Sequence, residues 1–224
     1  MSDDLIELLT TSTTSTTSPT SPTSTTSPTS PTSTTDEGER LAALRAALVD
    51  RATKEASVDV TYRVVDSPVG ALLLAATDAG VVRVAFDVED HDRVLESLGT
   101  RIGSRILRGG NRLDPLAREL DDYFAARRRA FDVPVDLRLA RGFRLSVLSH
   151  LTQIPYGATE SYAQVASASG SPSAVRAVGS ACATNPLPIV VPCHRVVRSD
   201  GSLGGYLGGL TAKEHLLGLE RGQR

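Results

Sequence analysis

The residues with the most chemical potential lie in one stretch, Asn185 to Tyr206, which reads NPLPIVVPCHRVVRSDGSLGGY. Pro186, Pro188 and Pro192 fix the backbone leading into Cys193, because each proline ring locks φ. Cys193, His194 and Arg195 follow, and then a glycine-rich loop of Gly201, Gly204, Gly205, Gly208 and Gly209. A thiol attacks well only as thiolate, and an ordinary cysteine with a pKa of about 8.5 needs a base or a positive field to get there. His194 is the next residue, but neighbours in an extended segment point to opposite faces. It reaches the sulfur only at a bend or through a water. The proline, histidine and arginine around Cys193 set it apart from a buried filler. Cys182, among Gly179, Ser180, Ala181 and Ala183, reads as filling on a helix. Cys182, Cys193, His194 and His215 lack C-x-x-C or H-x-x-x-H spacing, so no metal is expected.

The elements that must position this stretch follow from periodicity and turn chemistry. Asp36 to Ala56 has helical spacing, with Asp36, Glu37 and Glu39 suited to a helix N-terminus and Leu41, Leu44, Ala47 and Leu48 as an apolar stripe. Three β-type runs come next, Val58 to Val65, Ala71 to Ala76 and Val81 to Phe86, separated by Ser67-Pro68-Val69-Gly70 and Asp78-Ala79-Gly80. Such turn signals between apolar runs predict an antiparallel meander. His91 to Leu98 and Leu113 to Arg129 read as helices, the second with Leu116, Leu120, Tyr123 and Phe124 on one face. From about Ala140 the strand patterns fade. Phe143, Val147, Leu148 and Leu151 mark a helix ended by Pro155-Tyr156-Gly157, and Ser161 caps a second that runs to Ala168. A third spans Ser171 or Ser173 to Ala183, and Gly170-Ser171-Pro172 between the last two outlines a helix-turn-helix. Ile189 to Val191 reads as a buried extended segment. The expected fold class is α+β: a small antiparallel-sheet N-terminal domain over 36–139 with its leading helix, then a helical, winged-helix-like domain over 140–224 that carries the helix-turn-helix.

Composition bounds the function. The chain has 224 residues, 40% of them hydrophobic, enough for a real core, although aromatic content is only 4%. Thr10 to Thr35 is built solely of Thr, Ser and Pro, so residues 1–35 are expected to form a disordered tail. Two cysteines exclude a disulfide framework. No run approaches the roughly 20 apolar residues that span a bilayer. Asp3, Asp4 and Glu7 stand where a signal peptide would be basic, so a cytoplasmic location is expected. A net charge of -2 argues against a uniform nucleic-acid coat. The halves differ, however: residues 141–224 carry eight basic and four acidic side chains, or +4, which leaves -6 for residues 1–140. On these residues alone, a helix-turn-helix regulator with a structural cysteine and a cysteine hydrolase using Cys193 and His194 both stay open.

The stretch from Ile154 to Glu220 resembles the active-site domain of the O6-alkylguanine-DNA alkyltransferases, the methylated-DNA–protein-cysteine S-methyltransferases. The similar text is IPYG at 154–157, SY at 161–162, VRAVG at 175–179, NPLPIVVPCHRVV at 185–197, GGYLGG at 204–209 and KEHLLGLE at 213–220. The resemblance covers 141–224, and residues 57–135 are compatible with the family's more variable N-terminal domain. It implies single-turnover DNA repair in which the alkyl group on O6 of guanine, or on O4 of thymine, moves to Cys193 with no cofactor. His194 would act as base through a water, Glu220 would orient it, Asn185 would shape the cysteine loop and Tyr162 would donate toward N3 of the flipped guanine. Arg176 would fill the gap left in the duplex, reached from the minor groove. Arg195 is expected among the DNA-binding and base-binding residues, with the backbone around Val196, Val197 and Gly205 to Leu207 lining the guanine pocket and Tyr206 as part of its wall. Leu207 departs from the family, in which a small polar residue often contacts O6. Zinc in some relatives depends on N-terminal Cys and His residues, and no cysteine here precedes position 182. The implied partner is double-stranded DNA carrying O6-alkylguanine, bound by a monomer, with no membrane involved.

Overall fold

The computed structural model describes residues 34–54 and 57–222. The Ser/Thr/Pro tail lies outside the described residues, apart from Thr34 and Thr35, which open helix α1 (Thr34–Lys54). The apolar stripe read on α1 faces outward. Leu44 is 69% and Leu48 66% exposed, while Val49 is buried.

Strands β1 (Val60–Val65), β2 (Leu72–Ala76) and β3 (Val81–Phe86) form the expected antiparallel meander, with Thr61 opposite Ala76 and Leu72 opposite Phe86. Helix α2 (His91–Arg101) follows, capped by the Asp90 carboxylate, which accepts from the Asp92 and Arg93 N–H groups. A fourth strand, β4 (Ile106–Arg108), then pairs parallel to β1 at the far edge, giving the order β3-β2-β1-β4. Three residues carry no period-two signal, which is why sequence periodicity did not show it. Helix α3 (Asp114–Phe124) stops short of the expected Arg129. Ala126 adopts φ +58° and the Arg127 N–H returns to the Asp122 carbonyl at 2.8 Å, closing the helix.

Both faces of this sheet are covered. Leu72, Leu74, Val84 and Phe86 belong to a core shared with α3 and the C-terminal half, whereas Leu73, Ala75, Val82 and Ala85 pack with Val94 and Leu98 of α2. The unbroken apolar run of β2 is the consequence, since a strand buried on both faces has no polar side to show.

The C-terminal half is built of α4 (Phe143–Leu151), β5 (Glu160–Ser161), α5 (Tyr162–Ala168), α6 (Val175–Ala183), β6 (Val196–Val197) and α7 (Gly209–Glu220). Ser161 caps α5 as expected: its hydroxyl accepts the Gln164 N–H at 3.2 Å and Gln164 Oε1 accepts the Ser161 N–H at 2.7 Å. Helices α5 and α6 form the helix-turn-helix, and α6 begins at Val175 because residues 171–174 close a turn through Ala174 N–H to Ser171 O. Val178, Ala181 and Cys182 turn inward, leaving Arg176 exposed. Strands β5 and β6 pair parallel, Glu160 with Val196.

One core runs through both halves, joining Leu116 and Tyr123 of α3 to Leu148, Val178, Cys193 and Leu216. The N-terminal sheet also grips the cysteine loop directly. Val84 of β3 donates its N–H to the Pro186 carbonyl at 2.9 Å, and the Arg83 guanidinium donates to the Asn185 carbonyl at 3.4 Å.

Candidate active site

The segment expected to run extended into Cys193 is a tight turn instead. Val191 donates its N–H to Leu187 O at 2.7 Å, and Ile189 sits at φ +74°, a left-handed conformation that costs a β-branched residue on the order of 1–3 kcal/mol. Cys193 to Arg195 then form a single 3-10 turn. This bend removes the opposite-face objection to a partnership between Cys193 and His194. Cys193 is only 1% exposed, and its Sγ accepts from Asn185 Nδ2 at 3.1 Å. The same amide donates to Val191 O at 2.8 Å, while Asn185 Oδ1 accepts the Leu187 N–H at 3.0 Å. Burial pushes the thiol up to about 11, and the Asn185 donor and the Lys213 charge restrain the rise. At neutral pH the sulfur therefore carries its proton and needs a base.

His194 is fully buried, and its Nε2 lies 2.8 Å from Oε1 of Glu220, the last residue of α7. Four further donors converge on this carboxylate. Arg195 reaches it through Nε (2.9 Å) and a terminal nitrogen (2.8 Å), Gly157 through its N–H (3.0 Å) and Tyr123 through its hydroxyl (2.7 Å). Burial raises the Glu220 carboxyl, but the hydrogen bonds from His194 and Arg195 outweigh it and hold the group well below the carboxylate range. An ionised carboxylate only accepts, so His194 presents Nε2–H to it and keeps a lone pair on Nδ1. Nδ1 has no hydrogen-bond partner among the described residues. Burial lowers the imidazole against the pull of Glu220, which keeps it neutral and basic. Gly157 is required here, because at φ +78° a Cβ would stand 3.0 Å from the Glu220 carbonyl.

Tyr162 opens α5, and its hydroxyl passes so close to Gly204 that a Cβ there would overlap it. Burial raises its pKa, the two cysteines add to that, and the hydroxyl remains a donor. Tyr206 meets the His194 ring edge-on at 6.3 Å and the Phe86 ring at 5.6 Å, and its hydroxyl is buried with no hydrogen-bond partner among the described residues. Gly205 is exposed and Val197 is buried. One expectation needs correcting. Arg195, expected against DNA, is buried, with its guanidinium committed to Glu220 and to the Ile154 carbonyl (2.6 Å). Val196, whose backbone is expected at the base, buries its side chain in the core, and its carbonyl accepts from Lys213 Nζ at 2.6 Å. Leu207 lines a groove between the two halves together with Arg83 and Thr184.

Two profiles cover this architecture: the ribonuclease-like domain of the 6-O-methylguanine DNA methyltransferases matches residues 60–137, and their DNA-binding domain matches residues 142–222. The inducible methylated-DNA–protein-cysteine methyltransferase of Bacillus subtilis is 40% identical over 149 residues, 66% of this chain and 83% of that protein. The Mycolicibacterium paratuberculosis methyltransferase is 40% identical over 162 residues, 72% of this chain and 93% of its own. This chain belongs to the methylated-DNA–protein-cysteine methyltransferases. The Mycobacterium tuberculosis O6-methylguanine methyltransferase superposes with a TM-score of 0.64 at 36% identity, covering 74% of this chain and 94% of that one. The same organism's OGT, solved in complex with DNA, also superposes at 0.64, with 37% identity over 73% of this chain and 94% of its own.

This methyltransferase carries two site residues that sequence reasoning missed. Lys213 of α7 is fully buried, donating to Val196 O and, at 3.4 Å, to Gly204 O. It brings a positive charge under the cysteine while tying both strands of the glycine loop together. Its position in the KEHLLGLE segment was the available signal. Tyr123 belongs to α3 of the other domain, and its helical spacing marked it only as a core residue. Among the described residues no group of three His, Cys, Asp or Glu could hold a metal ion, and no helix is long and apolar enough to cross a membrane.

Proposed function

We propose that this chain repairs DNA by moving the alkyl group of O6-alkylguanine, and of O4-alkylthymine, onto Cys193, once per molecule. The carrying observation is the buried thiol on the same turn as a neutral imidazole whose tautomer is set by a buried carboxylate. The thiol proton passes through a water to His194 Nδ1, and Glu220 stabilises the resulting imidazolium. The sulfur lone pair forms the S–C bond as the C–O6 bond breaks, and the bonding pair stays on the base. Tyr162 gives its proton to N3, so guanine leaves neutral, and the imidazolium proton returns to the tyrosinate through solvent. Net, the thiol proton ends on guanine and the alkyl group on sulfur, a thioether that no residue here hydrolyses.

The 1% exposure of Cys193 means that an alkylated base must leave the stack to reach it. Exposed Arg176 on α6 suits the gap left behind, entering from the minor groove. The local charge of +4 over residues 141–224 supports duplex binding, which we assign to a monomer. Two reduced, buried thiols fit a cytoplasmic setting. The deciding experiment incubates the protein with a duplex containing O6-methylguanine and maps adducts by mass spectrometry. A single methyl group on the Cys193 peptide, absent from Cys193→Ser, is expected. Unmodified protein beside unrepaired DNA would overturn the reading.

Tyr123→Phe tests whether the N-terminal domain takes part in this relay. Without its hydroxyl the Glu220 charge is less shared, the His194 imidazolium is better stabilised, and the imidazole pKa rises. The acid limb of the pH–rate profile should therefore move to higher pH, with a stability loss of about 1 kcal/mol. A purely structural tyrosine would slow the reaction without moving the limb.

A further inference from the structure

Beside the site, between the two halves, runs a groove of about 410 Å³. Four guanidinium groups line it, Arg83, Arg93, Arg101 and Arg144, against one carboxylate, Glu89. Arg83 is ion-paired with Glu89, and Arg93 with Asp90 at 3.2 Å. Among the described residues, Arg101 and Arg144 meet backbone carbonyls and no carboxylate, Leu139 O at 3.2 Å and Thr184 O at 2.6 Å. A carbonyl satisfies an N–H but does not neutralise a cation. The Nε of Arg144 is buried with no hydrogen-bond partner among the described residues. Burial lowers the pKa of Arg144, and the charges of Arg101 and Arg83 lower it further, so these cations feel one another. Two guanidinium groups lining one groove without a carboxylate of their own repel each other, and an oxyanion bound by both relieves the repulsion.

The location says which oxyanion. Thr184 ends α6, the helix that carries Arg176, and Leu207 sits in the loop of Gly205 and Tyr206. The groove thus adjoins both the helix-turn-helix and the loop proposed to surround the extruded base. We propose that Arg101 and Arg144 bind a backbone phosphodiester of the damaged strand, so that α2 of the N-terminal domain is a second DNA-binding element. This rests on the DNA-repair reading above, and it uses residues outside the helix-turn-helix.

Equilibrium binding of the full chain to duplex DNA across a salt series tests it. Each phosphate neutralised contributes about 0.9 to the slope of log K against log salt. The double variant Arg101→Gln/Arg144→Gln should flatten the slope by about 1, and the Arg→Lys pair should restore it. Exposed Arg101→Gln alone, which leaves the Arg144 contact to Thr184 in place, should flatten it measurably, which guards against a folding defect in the double variant. Arg118→Gln, exposed on α3, should leave it unchanged. An unaltered slope in the double variant, or an equal loss with Arg118→Gln, would overturn the proposal. So would a thermal midpoint raised by inorganic phosphate in the wild type alone with no change in slope, because the groove would then serve a free anion. Failure of methyl transfer to Cys193 in the wild-type chain would sink the repair reading instead, a result read on a different assay.

Discussion

Glu220→Gln is expected to slow alkyl transfer by about 10³-fold or more while duplex affinity is kept. Glutamine has nearly the same shape but carries no charge and presents an amide nitrogen. His194 then loses the acceptor that holds its proton on Nε2, and an amide N–H facing the ring favours the opposite tautomer, with the proton on Nδ1. That tautomer cannot take a proton from the sulfur side. In a Ser–His–Asp triad the corresponding amide exchange costs about 10⁴-fold, for the same reason. Stability should fall as well, by about 3–5 kcal/mol, because Arg195 is left as a buried cation without a counter-charge. The loss has a pH signature. The folded-state pKa of Glu220 is depressed, so its stabilisation is present above the unfolded carboxylate value of about 4.3 and disappears as pH falls through the folded value. Chemical denaturation should therefore show a full gap between wild type and variant at pH 7 that narrows below about pH 4. A rate within tenfold of wild type, or a gap independent of pH, would contradict the assigned role.

What was legible in the sequence and what was not divides by the distance over which groups interact. The Ser161–Gln164 box is a contact three residues long, and the turn signals around β2 are equally local, so both were readable. The prolines before Cys193 announced a fixed backbone, but not that Ile189 would be forced to positive φ. Glu220 read by itself as a solvated helix-end carboxylate. Only its contacts with Tyr123, 97 positions away, and with His194 and Arg195 make it the centre of the site. Arg195 shows the converse error. A basic residue beside a nucleophile in a DNA-binding domain suggests a phosphate contact, yet the buried carboxylate claims it first. Charge type could be read from the sequence, whereas the identity of the partner depended on tertiary packing.

The N-terminal domain had no chemistry assigned to it from sequence, and the structure gives it three points of attachment. Val84 and Arg83 hold the carbonyls of Pro186 and Asn185, and Tyr123 completes the Glu220 cluster. The antiparallel edge of its sheet is thus used to fix the loop that presents the sulfur, which accounts for an apolar core continuous between the halves. A nucleophile that acts once needs accurate placement more than mobility, and a strained loop keeps that placement only when several independent bonds restrain it.

Asn185 is where these restraints meet, and its removal should show how much of the reactivity is geometry. Asn185→Ala leaves the Leu187 N–H, the Val191 carbonyl and the sulfur without their buried partner at once. At about 1–3 kcal/mol for each orphaned group, partly relieved by relaxation, the expected loss of stability is roughly 2–5 kcal/mol. The left-handed Ile189 is then free to relax, which moves Cys193 with it. The sulfur also loses the donor that opposed its burial, so its pKa rises above the present value of about 11 and the thiolate becomes scarcer at neutral pH. Transfer to Cys193 should slow by about 10²-fold at pH 7, a deficit that stays constant with pH as long as both thiols are mostly protonated. Asn185→Asp separates the two contributions. It keeps an acceptor for Leu187 and nearly the same volume, but it places a carboxylate against the sulfur and removes the donor. The aspartate variant should therefore be more stable than the alanine variant near neutral pH and yet react more slowly. If it reacts as fast as wild type, donation to the sulfur has no part in activating the thiol and Asn185 matters only for loop shape.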